Sequence, residues 1–179
     1  MVIPCKTKSK TTDGKGNLMA EYILSIDPGN EYTAYVLMDN QTYKPVECAK
    51  LPNTEFRAKL AEHCMNIALK EVVIELVGHY GTGMPAGRTV FDTCYASGRF
   101  VEIVNNCTGS EPRWMLRPTV KNIICGTPRA KDSNVIQALK DRFGDKGTKK
   151  NPGWFYGFKA DCWQAYALGV AWLDMEKEK

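Results

Sequence analysis

The chain has 179 residues, 44% of them hydrophobic, enough to bury one sizeable core, and the length predicts a single folded domain. Its seven cysteines (Cys5, Cys48, Cys64, Cys94, Cys107, Cys125, Cys162) include no CxxC pair, and only His63 and His79 could join them, which argues against a zinc site or a disulfide framework. A net charge of +4 does not by itself mark a nucleic-acid binder, and with no apolar leader-like run and no stretch of transmembrane length a cytoplasmic protein without a membrane partner is expected.

Residues 1–19 are polar, basic and without periodicity, so they read as a flexible basic arm, with the folded domain over 20–179. The apolar run Tyr22 to Ile26 predicts a strand that delivers Asp27 to the turn Pro28-Gly29-Asn30. Thr33 to Met38 reads as a second strand and Pro45 to Leu51 as a weaker third, and their short connections predict an antiparallel meander. Phe56, Leu60, Cys64 and Ile67 recur at helical spacing behind a possible Thr54 cap. The next strand, Val72 to Leu76, carries Glu75; a right-handed crossover would lay it parallel to a strand of the meander, and beside the first strand it would bring Glu75 next to Asp27.

The glycine-rich segment from Gly78 to Gly87 should rim the end of that strand, with a helix from Arg88 to about Asn105 interrupted at Gly98. Arg113 to Leu116 predicts a fifth short strand, followed by a small helix opened by Pro118 and closed by Gly126. Asp132 or Ser133 can cap a further helix that ends at Gly144. In the loop from Lys146 to Phe158, four aromatics beside Lys149 and Lys150 could stack on bases while the lysines meet phosphates, or could plug a gap between helices; for Trp154 and Phe155 the plug is the expected role. A last helix from about Lys159 to Met175 puts Asp161, Gln164, Ala165, Leu168 and Trp172 on one stripe.

Asp27, Glu75 and Asp161 all sit on apolar elements. Each has an ordinary alternative: a turn former, an edge-strand charge, a residue favoured by the helix dipole. A carboxylate buried alone costs several kcal/mol or neutralises, so three together point to a shared counter-ion. Hard oxygen ligands without histidine or thiolate suit Mg2+ or Mn2+, and two such ions suit phosphodiester hydrolysis.

From Ile23 to about Trp172 the chain resembles the RuvC-type Holliday junction resolvases, particularly those carried by bacteriophages. Ile26-Asp27-Pro28-Gly29 resembles that family's first-strand motif and Val73-Ile74-Glu75-Leu76 its second acidic strand. Pro85 to Cys94 with Gly98-Arg99-Phe100 is similar to the following helix of phage members, Arg117 to Lys121 with Gly126 and Lys131 to the basic stretch, and Asp161 to Leu168 to the closing helix. The resemblance implies an α/β, ribonuclease H-like fold: a mixed five-stranded sheet, antiparallel meander plus parallel strands, flanked by helices. It implies metal ligation by Asp27, Glu75 and Asp161, phosphate contacts from Lys121 and Lys131, and a role for Tyr80 near the aromatic that helps open a junction. Arg88, Arg129, Lys149 and Lys150 complete the candidate DNA contacts.

Gln164 stands where the cellular family typically has a fourth carboxylate, and only its amide carbonyl could coordinate. The implied partners are branched DNA and a second copy of the chain. Sugar-kinase and actin-like proteins also open on a strand ending in Asp, but they need a duplicated domain for which this length leaves no room. A junction binder that has lost turnover is the other reading, favoured by Gln164 and opposed by the three retained carboxylates, which a pure polyanion binder would gain by losing.

Overall fold

A computed structural model describes residues 21–78, 87–159 and 161–179. Tyr80 and the basic arm lie outside the described residues. Five strands, β1 (Tyr22–Asp27), β2 (Tyr32–Asp39), β3 (Pro45–Pro52), β4 (Leu69–Leu76) and β5 (Arg113–Leu116), form one sheet in the order β3-β2-β1-β4-β5. β1, β2 and β3 pair antiparallel, and β4 runs parallel to both β1 and β5. The expected meander and crossover are therefore both present, with the Glu75 strand beside the Asp27 strand.

The helices are α1 (Asn53–Asn66), α2 (Arg88–Thr108), α3 (Arg117–Cys125), α4 (Asp132–Phe143) and α5 (Cys162–Lys177). Strand alternation divides the core between the two sheet faces. Leu24, Ile26, Val72 and Ile74 pack with Phe56 and Leu60 of α1 and Phe100 of α2. Ile23, Ala34 and Val73 point the other way, into a cluster with Val120 of α3, Leu139 of α4 and most of α5. Eleven residues of α5, from Cys162 to Leu173, are buried, and a helix apolar nearly all round fits only where neighbours surround it. Among the described residues, no helix is long and apolar enough to cross a membrane.

Two local expectations, the break at Gly98 and the helix caps, are corrected, and the expected aromatic plug is present. The 21-residue α2 runs unbroken through Gly98, whose missing side chain faces open space, because a lone helical glycine weakens a helix without ending it. Neither Thr54 nor Asp132 occupies a cap position: Pro52 and Lys131 do, without a side-chain cap bond. Trp154, Phe155 and Phe158 close the core. Phe155 and Phe158 are buried, and Trp154 stacks on Phe143 at 5.3 Å and donates from Nε1 to Tyr166 Oη at 3.0 Å. Only Tyr156 of these four aromatics stays exposed, at 46%.

Gly169 lets α5 approach the sheet: a Cβ there would collide with the Met38 methyl and lie 3.0 Å from Ser25 Oγ. Gly169→Val should cost about 1–3 kcal/mol through overpacking, whereas Gly98→Ala should be neutral or stabilise by about 0.5–1 kcal/mol. Urea unfolding of the two variants checks both expectations.

Candidate metal and nucleic-acid site

The site lies at one end of the sheet, on the face that α5 covers. Asp27 follows Ile23 and Ser25 in alternation, and Glu75 follows Val73, so both carboxylates share the parity of the α5-side core. The last paired positions of β1 and β4 are Ile26 and Ile74, and one residue further come Asp27 and Glu75. Across the antiparallel side Asp27 pairs with Ala34 and Ala34 with Lys50. A single cross-strand row thus runs from a lysine through a small residue to two acids. Ala34 leaves space above it, and Asp161, immediately before α5, reaches into that space and forms an ion pair with Lys50.

The turn after Asp27 is held from outside the sheet. Asn53 at the start of α1 donates from Nδ2 to the carbonyls of Gly29 and Asn30 at 2.9 and 3.1 Å and accepts from Thr33 Oγ1 at 2.7 Å. Its own amide donates to Glu31 O at 2.8 Å. Gly29 packs so tightly that a Cβ would clash with the Tyr32 carbonyl. One asparagine therefore fixes the loop that orients Asp27, a connection that local sequence patterns do not reveal.

From the parallel side, β5 pairs Met115 with Glu75, and the chain passes into α3 two residues later. Register and parity deliver Arg117 to the carboxylates. Its Nε donates to Glu75 Oε1 at 2.9 Å, Nη2 lies 3.6 Å from Asp27 Oδ2, and Nη1 lies 3.7 Å from Asp132 Oδ2. Lys121, one turn along α3, holds Asp132 Oδ1 at 2.9 Å.

Burial, reinforced by Glu75 and Asp161 and opposed by Arg117 and Lys50, pushes the Asp27 carboxyl up to about 7. Burial likewise raises Glu75 despite Arg117. Hence Asp27 and Glu75 come together under one guanidinium, and Asp161 joins the Asp27 cavity from the other side. Gln164 lies half-buried in the first turn of α5, its backbone N–H 3.2 Å from the Asp161 carbonyl.

Of the candidate phosphate contacts, Lys121 is engaged with Asp132. Arg88 is exposed at the start of α2, with Asp92 at 3.3 Å. Arg129 and Lys131 are exposed around the α3–α4 connection, and Lys149 and Lys150 in the loop closed by the Gly147–Pro152 bridge. Lys50, Asn53 and Asp132 are additional polar residues of the site; alternation places Lys50 on the Asp27 face, but only the pairing register places it in the same row.

The donor chemistry of the acids fits a hard divalent cation. As arranged, Arg117 and Lys50 already lie on those oxygens, and among the described residues no three His, Cys, Asp or Glu side chains converge closely enough to hold a metal.

No protein-family model and no curated protein matches the sequence. Among solved structures the chain is similar to Thermus thermophilus RuvC, with 12% identity and a TM-score of 0.66 over 88% of this chain and 96% of that one. The fold is that of RuvC. A structure of T. thermophilus RuvC in complex with Holliday junction substrate matches equally well, with 13% identity and a TM-score of 0.65 over 84% of this chain and 92% of that one. The TM-scores establish a RuvC-like architecture, and identities this low leave the chemistry to the residues themselves.

The raised Asp27 carboxyl has a consequence for stability. The folded state binds its proton more tightly than the unfolded chain, so Asp27 stabilises the metal-free protein below about pH 4, and that contribution is lost as pH rises through about 7. Asp27→Asn should remove most of this slope, on the order of 2–4 kcal/mol across the window, in denaturant titrations at pH 4 to 8 with a chelator present.

Proposed function

We propose that this chain is a metal-dependent, structure-selective endonuclease that cuts Holliday junctions or other branched DNA. The observation that carries the reading is the side-by-side position of Asp27 and Glu75 on adjacent strands β1 and β4, with Asp161 lining the Asp27 cavity from the start of α5, at one end of a RuvC-like sheet. Asp27, Glu75 and Asp161 would hold Mg2+ or Mn2+, with the Gln164 carbonyl as a neutral further ligand. Two divalent cations so held supply charge neutralisation for the attacking and leaving oxygens of a phosphodiester.

The chain's own residues then do the positioning. Asn53 fixes the Asp27 turn, and α5, seated on the sheet through Gly169, fixes Asp161. Arg129, Lys131, Lys149 and Lys150 offer exposed cations for the backbone of the DNA arms, joined by Arg88 and, if released from Asp132, Lys121. Their role is sequence-independent, as suits recognition of a branch by shape. The segment from Pro85 to Phe100 supports placing the chain with the phage-borne branch of the resemblance.

Symmetric cutting of a four-way junction calls for two active sites, hence a homodimer. The outer face of α2 fits that role: Phe91 and Tyr95 are 64% and 67% exposed, and Cys94, Gly98 and Val101 of the same helix line a cavity with Leu76 and Trp114. Phe91→Asp should convert a dimer to monomer in sedimentation analysis; an unchanged sedimentation coefficient would move the contact elsewhere.

A second reading, a junction binder without turnover, has a specific observation in its favour: Arg117 and Lys50 already pair with the acids, and Gln164 is uncharged. Incubation with labelled four-way junction, flap and duplex DNA, with and without Mg2+, separates the two. Under the nuclease reading, branched DNA is cut only with metal. Asp27→Asn, Glu75→Gln and Asp161→Asn each then lower cleavage by about 10²–10³-fold or more while junction binding in EDTA is kept or strengthened. Wild-type binding without cleavage in Mg2+ or Mn2+ would favour the binder.

A further inference from the structure

Arg117 is two-thirds buried, with a side-chain exposure of 34%, and its three nitrogens are spread over three carboxylates. The Glu75 oxygen that accepts from Nε at 2.9 Å is one that a cation would need. A hard divalent ion takes its oxygens at about 2.0–2.6 Å, and a guanidinium among the same oxygens blocks that approach and repels a second positive charge. The two cations are mutually exclusive between Asp27 and Glu75.

An alternative seat for the guanidinium is already in place. Asp132, the first residue of α4, is half-exposed, lies 3.7 Å from Nη1 and is held at its other oxygen by Lys121 at 2.9 Å. A rotation of the Arg117 side chain about its α3 backbone would exchange the Glu75 contact for a fuller pairing with Asp132, and planar guanidinium suits such a two-oxygen partner.

We propose that Arg117 is a tethered counter-ion that stands in for the metal between Asp27 and Glu75 and moves onto Asp132 when a divalent cation binds, which makes Arg117 and Asp132 positioning residues that set metal affinity. This rests on the reading of the acids as a cation site. It also gives the fourth carboxylate of the neighbourhood a role distinct from ligation: Asp132 lowers the cost of opening the site, whereas Gln164 cannot.

In such an equilibrium the apparent metal affinity is the intrinsic one reduced by the fraction of molecules with the site open. The test is Mn2+ binding to the DNA-free protein, by electron paramagnetic resonance of the free aquo ion and by calorimetry. Arg117→Gln, which keeps a polar side chain and removes the charge, should tighten Mn2+ binding by about tenfold or more, while Arg117→Lys should stay within about threefold of wild type. Asp132→Asn should weaken binding by about three- to tenfold in the wild-type background and leave it unchanged in the Arg117→Gln background.

Unchanged or weaker binding by a folded Arg117→Gln overturns the proposal. So does an Asp132→Asn loss that persists without Arg117, since Asp132 would then be a ligand. Should Arg117→Gln fail to fold, Asp132→Asn alone decides, because unaltered Mn2+ affinity in that variant contradicts a seat for Arg117. Asp27→Asn is the separate control: if it binds Mn2+ as well as wild type, or if neither wild type nor Arg117→Gln binds at millimolar metal, the cation-site reading itself fails.

Discussion

Asp27 and Glu75 are like charges at the ends of adjacent parallel strands, on the face that α5 covers, with side-chain exposures of 17% and 15%. Neither water nor the apolar core can compensate them there, so cations must be brought in from other elements. Arg117 arrives from the β5–α3 junction and Lys50 from β3, the latter through Asp161. The rest of the architecture follows from this requirement: the order β3-β2-β1-β4-β5 places an acid pair in the middle of the sheet and a basic residue on each side of it. Arg117 and Lys50 offset part of the charge of the three acids without metal, and on the proposed reading the site takes a metal by exchanging one cation for another.

The supporting residues act through packing rather than charge. Asn53 ties the Asp27 turn to α1 with its side chain and its amide, and Gly169 allows α5 to rest on Met38 and Ser25. The aromatic plug of Phe143, Trp154, Phe155, Phe158 and Tyr166 anchors the segment that leads into Asp161, with ring centroids 5.2–5.8 Å apart in one stacked and several edge-on pairs, each worth about 0.5–1.5 kcal/mol. The carboxylate before α5 is thereby set by a packed core.

Much of this was legible in the residues. Apolar runs located β1, β2 and β4, and the strand-helix-strand order with the crossover rule laid β4 parallel to a strand of the meander; the structure makes that strand β1, which puts Glu75 beside Asp27. What one-dimensional reading missed depends on register. Lys50 belongs to the site because Ala34 pairs with both Asp27 and Lys50, and Arg117 because β5 sets Met115 against Glu75; neither pairing is encoded in local spacing. Asp132, read like Ser133 as a cap, is instead the first residue of α4 and pairs with Lys121 and Arg117. Gly98 misled in the opposite direction, since its neighbours on α2 sustain the helix without it.

On the proposed reading, Asp27, Glu75 and Asp161 form one cation site under a movable guanidinium. A crystal structure of the protein grown with Mn2+, with anomalous data at the manganese edge, tests it most directly. An anomalous peak is expected within about 2.0–2.6 Å of Asp27 and Glu75 oxygens, with Arg117 turned from Glu75 to Asp132. Full Mn2+ in the crystal with no peak at these carboxylates, and Arg117 still bonded to Glu75, would contradict it.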